Sequence, residues 1–402
     1  MRLPPFRTAL LWGALLRLAL LPLPGYRDDV AAFGRWALAL AREGPRAIYL
    51  DPAVRPGVDY VPGYLYVLWA LGKAHDALLG HASGAGGIAF RMALKAPGAL
   101  ADLVLAFILY RIGRGLAKEA GGRAAAAVVL FAPPFWLVSA YWGQVDAVAA
   151  VPFALALWCA LEDRFVPAWV ALAAALLIKP QTAAFAPVLA VWQFRRLGPR
   201  ALLALVAGGV AGLFLAYCTA LPFAPAGNPA TVLAWLAARY AAAVAKAPFA
   251  TVSAFNLYSI AWQPFHSDAT PVFGLPVRYW GLGLAVVAVG AMLFALRDRE
   301  RSLLAVTAAA LAAPYVVATR MHERYLLPAL VAGTLLALVD RTSGWIVAGL
   351  GAIFTLDALA VLAGLQSGGH HPQVLFAVKL LSLCNVLLVA ALLLRARAIG
   401  KA

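Results

Sequence analysis

The sequence predicts an all-α, polytopic helical membrane protein with about twelve transmembrane helices. Of its 402 residues, 64% are hydrophobic and only 12% are charged, which is not the composition of a soluble globular protein. Apolar runs of about 18 residues or more recur along the whole chain, and a run of that length is long enough to cross a bilayer as a helix.

Clusters of basic residues predict the topology. The positive-inside rule assigns the Arg- and Lys-rich segments between apolar runs to the cytoplasm; they lie at residues 2–7, 111–123, 195–200, 297–301 and 395–401. An even number of spans must separate the first two segments, yet three apolar stretches lie between them. The stretch 62–79 contains Lys73, His75 and Asp76, so we expect it to lie in the outer interface rather than to cross the bilayer.

The remaining apolar runs are the predicted spans. They are 6–23 (retained, because no signal-peptide cleavage pattern follows it), 92–112, 124–142, 145–161, 165–179, 182–194, 201–221, 276–296, 302–318, 324–339, 344–363 and 374–394. Two long external loops result: 24–91, with two interfacial helices, and 222–276, which is rich in proline and aromatic residues. Neither loop is long enough for an independent core, so residues 1–402 form a single integral-membrane domain.

Charge and motif content exclude several classes of function. The net charge of +16 is scattered among the spans, so anionic lipids and phosphate-bearing lipids are expected partners and nucleic acid is not. The three cysteines, Cys159, Cys218 and Cys384, fall inside apolar runs at unrelated spacings and indicate no disulfide framework. The sequence shows no Gly-rich phosphate loop, CxxC pair or HExxH, and it leaves a need for a divalent metal open.

Two carboxylates, Asp28 and Asp29, begin the first interfacial helix. Acidic groups so close to lipid are costly, which favours a functional role. We therefore expect one of them to be the catalytic base of a membrane sugar transferase. The alternative is that Asp29 only caps the helix.

Further polar motifs are predicted at the external ends of spans. They are Asp59-Tyr60, Trp142-Gly143-Gln144-Val145-Asp146, Lys179-Pro180-Gln181, Asn256 and Arg320-Met321-His322-Glu323-Arg324-Tyr325. Alternatives stay open for single residues: Trp142 as an aromatic-belt anchor, Asp146 as a helix cap and Lys179 as a snorkelling side chain. The segment Arg320 to Arg324 contains more polar side chains than are needed to anchor the end of a span at the membrane surface. Carboxylates beside aromatic rings are typical of sugar binding.

In this order, the motifs resemble those of the GT-C superfamily of polyprenyl-phosphate-sugar-dependent glycosyltransferases, and in particular the glucosyltransferases of the dolichol-linked oligosaccharide pathway and their bacterial relatives. In that family the base is an Asp followed seven residues later by Trp, a spacing that Asp29 and Trp36 share. Asp59 to Pro62 resembles an Asp-Tyr-Pro-Pro motif with Val61 in place of one proline. Residues 179–181, 322–324 and 142–146 resemble the family's Lys-Gln, His-Glu-Lys and bacterial Trp-Gly-Gln-x-Asp motifs, the first with an inserted Pro180 and the second with Arg for Lys.

The resemblance implies an inverting hexosyltransferase, with mannose or glucose as the expected sugar, that uses a polyprenyl-phosphate donor and a lipid-linked or envelope glycan acceptor. It implies Asp29, or else Asp28, as general base. It assigns the donor phosphate to Lys179, Gln181, Arg320, His322 and Arg324. Sugar or acceptor binding goes to Asp59, Tyr60, Trp142, Gln144, Asp146, Asn256 and Glu323.

No cofactor is expected beyond the lipid-linked donor. Abundant Ala and Arg suggest a bacterial inner-membrane protein with an outward-facing site. The alternative class is a transporter or flippase of an anionic lipid or solute.

Overall fold

A computed structural model describes residues 3–50, 57–80, 84–225, 227–365 and 372–401. Within these ranges the chain is almost wholly helical, in agreement with the predicted all-α class. The helices are α1 (Phe6–Leu20), α2 (Arg27–Glu43), α3 (Pro62–Leu79), α4 (Ile88–Phe131), α5 (Pro133–Trp136), α6 (Asp146–Leu161), α7 (Phe165–Ile178), α8 (Phe185–Leu197), α9 (Ala201–Ala220), α10 (Pro229–Ala245), α11 (Leu257–Ala261), α12 (Val277–Ala295), α13 (Glu300–Val317), α14 (Leu327–Ala337), α15 (Arg341–Leu362) and α16 (Pro372–Lys401).

The protein is a multi-pass integral membrane protein. Six helical segments of the described chain are long and apolar enough to cross a bilayer; they are α4, the continuous segment Phe185–Ala220, α12, α13, α15 and α16. The helices α6 and α7 are apolar but shorter. The total of about twelve spans stays a prediction.

Helix α4 is a pair of helices joined at a sharp break. Ala117 and Lys118 have non-helical backbone angles, and the hydroxyl of Tyr110 donates to the carboxylate of Glu119 at 3.0 Å. The two halves therefore run antiparallel, as the predicted spans 92–112 and 124–142 require. This turn carries the basic residues that the sequence assigns to the cytoplasm.

Both predicted helices of the first long loop are present. The first covers the expected range 30–42 and the second the range 62–79. They pack closely because Gly72 of α3 has no side chain: a Cβ there would lie 2.0 Å from the carbonyl oxygen of Ala37. Their buried aromatic cluster includes Phe33, Trp36 and Tyr64.

The second long loop holds structure that the sequence did not predict. It contains the 17-residue helix α10, the short α11 and a two-stranded antiparallel hairpin, β1 (Pro271–Val272) and β2 (Leu275–Pro276). Helix α10 is mostly exposed and buries only Val232 and Leu236. Its sequence is apolar on nearly every side, so it shows no amphipathic period that would distinguish a helix from the surrounding apolar loop.

Candidate active site

A turn of π-helix brings the first two site residues into place. Pro133 and Pro134 interrupt the helix after α4, and residues Leu137–Trp142 then form a π-helical turn. Gly143 ends this turn with a φ of 96°, where a Cβ would lie only 3.0 Å from the side chains of Lys95 and Val30. The chain reverses there and leaves Trp142 and Gln144 facing α2.

Asp29 lies in the first turn of α2 and accepts two hydrogen bonds. The indole Nε1 of Trp142 donates to its Oδ2 at 2.7 Å, and the Nε2 of Gln144 donates to the same oxygen at 2.6 Å. No hydrogen bond from any part of the chain that the structure describes reaches Oδ1. One oxygen of Asp29 is thus held in place while the other is free to accept a proton.

The amide of Gln144 has only one orientation that satisfies its neighbours. Its Oε1 accepts from the hydroxyl of Tyr60 at 3.0 Å and from the Nζ of Lys179 at 3.1 Å. Burial raises the pKa of the Tyr60 phenol well above its usual value, so that group keeps its proton and remains a donor. Two donors on the oxygen leave the NH₂ group of Gln144 for Asp29.

Asp146 is the carboxylate at the centre of the neighbouring ion pair. Its Oδ2 lies 2.9 Å from the Nζ of Lys179, and its Oδ1 accepts from Gln181 at 2.7 Å. Lys179 follows the last residue of α7 in an extended conformation, as expected before Pro180, and this conformation aims its side chain inward. Two of the three ammonium hydrogens are used, by Asp146 and Gln144, and the third remains available.

Arg324 comes from the far end of the chain and reaches the same group. Its Nη1 donates to Oε1 of Glu323 at 2.5 Å, and its Nε lies 3.8 Å from Oδ2 of Asp146. Its guanidinium lies over the ring of Trp142, 5.7 Å from the centroid. The Nε is buried and has no hydrogen-bond partner among the described residues. The Nε–H group of Arg324 can therefore still donate a hydrogen bond to a ligand.

His322 is expected to be neutral in this environment. Burial, together with the positive charges of Arg324 and Lys179, lowers the pKa of its imidazole to about 3. Its ring packs at 5.1 Å from that of Tyr325, and a quarter of its side chain is exposed. It can donate an N–H to a ligand without contributing a charge.

The second long loop supports Glu323. The hydroxyl of Ser253 donates to Oε2 of Glu323. Side chains of α15 and α16 bind the backbone of this loop. The N–H of Phe255 donates to Asp357 at 2.8 Å, and its carbonyl accepts from Asn385 at 2.7 Å. The carboxylate of Asp357, which lies inside the predicted span 344–363, thus binds a loop backbone.

Four other residues predicted for the site lie outside this group. Asp28 is exposed, and Asp59 forms an ion pair with Lys246 at 3.1 Å. Arg320 has a φ of 66° and binds Asp268 at 2.7 Å. The side chain of Asn256 caps α11 by accepting from the backbone of Tyr258 and Ser259.

The structure adds two residues to the site to which the sequence assigned no role. Ser253 reaches Glu323 from a loop without a recognisable motif, and nothing in its sequence context distinguishes it. Tyr325 is the last residue of the polar motif that begins at Arg320, and its ring lies 6.0 Å from the Arg324 guanidinium. Its place in that motif was a usable signal.

An apolar groove of about 770 Å³ lies between the second half of α4, α14 and α15. Small residues form much of its wall, and the exposed side chains of Val128 and Leu356 lie at its opening. Its lining ends at Thr355 and Leu356, within one helical turn of Ala358, which belongs to the same buried cluster as Trp142. The groove therefore approaches the polar group from within the membrane domain.

Comparison of the coordinates with solved structures shows the fold. The structure of ArnT from Cupriavidus metallidurans bound to undecaprenyl phosphate matches 98% of this chain and 77% of that chain, with a TM-score of 0.50 and 15% sequence identity. The chain has the GT-C fold. The oligosaccharyltransferase of Archaeoglobus fulgidus in its apo form also matches, over 98% of this chain and 56% of that chain, with a TM-score of 0.46 and 13% identity.

Sequence comparison adds nothing to the assignment of the GT-C fold, because no family model and no curated protein matches this chain. Within the described ranges, no group of three or more His, Cys, Asp and Glu side chains is arranged to hold a metal ion. Within the GT-C fold, the candidate active site of the described chain thus consists of carboxylates, cations and aromatic rings.

Proposed function

We propose that this protein is a membrane glycosyltransferase that transfers a hexose from a polyprenyl-phosphate donor to an acceptor hydroxyl. One observation supports this proposal above the others: Trp142 and Gln144 both contact Asp29 and also contact the cations Arg324 and Lys179. A base and a pair of phosphate-binding cations therefore share the same two neighbours. The resemblance of the sequence motifs and the likeness to ArnT, whose structure contains undecaprenyl phosphate, support the same reaction.

In the proposed reaction, the acceptor hydroxyl oxygen attacks the anomeric carbon and inverts its configuration. Its proton passes to Oδ1 of Asp29, the oxygen that accepts no hydrogen bond from the described residues. General-base catalysis of this kind contributes about 10²–10⁴ in rate. The bond between the anomeric carbon and the phosphate oxygen breaks, and its electron pair leaves with the polyprenyl phosphate.

The leaving phosphate is a stable anion and needs donors more than it needs a proton. We assign these donors to the third ammonium hydrogen of Lys179, the unpaired N–H groups of Arg324 and the neutral ring of His322. The apolar groove beside α14 and α15 is the proposed place for the prenyl tail, since its outer end lies close to Trp142. The polar head and apolar tail of the donor then bind to adjoining surfaces.

The test is to incubate the purified protein in lipid nanodiscs with a panel of polyprenyl-phosphate sugars and candidate acceptors. We expect one donor to be consumed, with polyprenyl phosphate and a glycoside of inverted configuration formed in equal amounts. The variant Asp298→Asn is the matched control for Asp29→Asn, because the carboxylate of Asp298 is half exposed and pairs with Arg196, which is not a residue of the candidate site. If no donor is consumed while vesicles containing the protein move an anionic lipid between leaflets, the protein is a flippase and the proposal is wrong.

A further inference from the structure

Arg17 and Asp102 form a buried ion pair near the candidate site, and every N–H group of the arginine lies against an acceptor. Arg17 of α1 is 2% exposed and Asp102 of α4 is fully buried, with 2.9 Å between Nη2 and Oδ2. The Nε of Arg17 also donates to Oδ2, at 3.0 Å, and three backbone carbonyls accept the remaining hydrogens: Gly13 at 3.0 Å, Leu130 at 2.9 Å and Val129 at 2.9 Å. The five N–H groups of a guanidinium are thereby all satisfied.

Two of these carbonyls have lost their usual helical partners. The carbonyls of Val129 and Leu130 would accept from residues 133 and 134 if the helix continued, but both positions are prolines, which have no N–H. The helix ends instead at Ala132, whose extended conformation is that of a residue before proline. Arg17 supplies the two missing donors, so it satisfies the carbonyls that the prolines leave free at the end of α4.

The same ion pair holds the π-helical turn that follows. The hydroxyl of Ser139, in the middle of that turn, lies within hydrogen-bond distance of Oδ2 of Asp102 and of the carbonyl of Phe135, the latter at 3.0 Å. We assign its single hydrogen to the carboxylate, which is the charged acceptor of the two. The carbonyl of Ser139 accepts from the N–H of Gly143 at 3.1 Å, and the carbonyl of Trp142 accepts from Tyr26 at 3.0 Å. A chain of hydrogen bonds therefore runs from Asp102 to the turn that carries Trp142 and Gln144.

An ion pair buried in an apolar environment is weak evidence for a contribution to stability, because the cost of removing both charges from water is about as large as their attraction. Its partners here are nevertheless specific: α1, both halves of α4 and the π-turn all meet at one guanidinium and one carboxylate. We propose that Arg17, Asp102 and Ser139 are positioning residues that set the angle at which Trp142 and Gln144 bind Asp29. This inference rests on the proposed function insofar as Asp29 is the base.

The sharpest test leaves the ion pair intact and removes its link to the turn, together with the contact between the Ser139 hydroxyl and the carbonyl of Phe135. Arg17 or Asp102 variants would leave an unpaired buried charge and are expected to reduce folding, so Ser139→Ala is the variant of choice. The matched control is Ser382→Ala, since Ser382 is also fully buried but donates to the carbonyl of Val378 within its own helix. Both proteins are labelled with 5-fluorotryptophan, and the Trp142 resonance is assigned by its loss in Trp142→Phe.

For Ser139→Ala we expect the Trp142 fluorine resonance to shift and kcat, normalised to donor-binding sites, to fall by about tenfold to a hundredfold. The KM for the donor should stay within about twofold. Ser382→Ala should change none of these quantities. An unchanged Trp142 resonance, whatever happens to thermal stability, overturns the inference. Because the resonance is read without turnover, a failure of the proposed reaction is distinguishable from a failure of the positioning role.

Discussion

The indole nitrogen of Trp142 lies 2.7 Å from a carboxylate oxygen of Asp29, although 113 residues separate them in the chain. A face of the same indole ring lies against the guanidinium of Arg324, at 5.7 Å from the ring centroid. One aromatic side chain thus connects the proposed base with a proposed phosphate ligand.

Substitutions of Gln144 separate the role of its two ends. In Gln144→Glu, a second carboxylate would lie beside Oδ2 of Asp29 where the NH₂ group now donates at 2.6 Å. Like charges this close force the two carboxyl groups to share a proton, so Asp29 is fully ionised for only part of the time and acts as a weaker base. We expect kcat to fall by about 10² in this variant but by only about tenfold in Gln144→Ala. Steady-state kinetics measure both, and equal losses would show that the NH₂ group does not act on Asp29.

The ion pair of Lys179 with Asp146 can be divided into a structural and a functional part. Lys179→Met leaves the buried Asp146 with one cation fewer, so thermal stability should fall by about 3 kcal/mol. The double variant with Asp146→Leu removes the unpaired carboxylate and should recover most of that loss. Donor affinity should stay at least about tenfold weaker in both proteins, because the phosphate ligand is absent. Full recovery of donor affinity in the double variant would exclude Lys179 as a phosphate ligand.

His322 is expected to act in its neutral form. The pKa of its imidazole is lowered to about 3 by burial and by Arg324 and Lys179, which outweigh the opposite effect of Asp29 and Asp146. The ring then carries no charge between about pH 5.5 and about pH 8. We expect His322→Ala to weaken donor binding, measured by calorimetry, by about tenfold at both ends of this range. A wild-type advantage that grows as the pH falls through about 6.5 would show that the protonated ring binds the phosphate.

Arg320 is expected to affect the second long loop more than the donor. Its guanidinium binds Asp268 at 2.7 Å and the carbonyl of Val244 at 2.8 Å. Among the described residues, Arg320→Ala leaves the buried Asp268 with Arg278 as its one cation, at 3.7 Å, so we expect the melting temperature to fall. Donor affinity should change by less than about twofold, in contrast with Arg324→Ala. A loss of affinity equal to that of Arg324→Ala would return Arg320 to the phosphate site.

Sequence patterns predicted the parts of this molecule that depend on local chemistry. Apolar runs indicated the helices, and the seven-residue spacing placed Asp29 and Trp36 on one side of α2. The spacing did not reveal that Trp36 packs against Phe33 and Tyr60, while a distant indole binds Asp29. Such a contact depends on how helices pack, which no local pattern encodes.

Backbone geometry explains the differences inside one motif. Arg320 and Arg324 lie four residues apart and have the same chemistry, so the sequence assigned both to the donor phosphate. The left-handed conformation at Arg320 directs its side chain towards Asp268, whereas the helical turn after His322 directs Arg324 inward. The charges of Arg17 and Asp357 lie inside predicted apolar spans, and their partners include backbone carbonyls and N–H groups that a sequence does not display.

The most direct test of the account is the turnover of Asp29→Asn beside that of Asp28→Asn. The two carboxylates are adjacent, but Asp29 accepts hydrogen bonds from Trp142 and Gln144 whereas Asp28 is exposed. We predict that Asp29→Asn folds and binds the donor normally while kcat falls by about 10²–10⁴, and that Asp28→Asn stays within about threefold of wild type. Near-normal turnover by Asp29→Asn would contradict the account, because the side chain at the centre of the site would then take no proton.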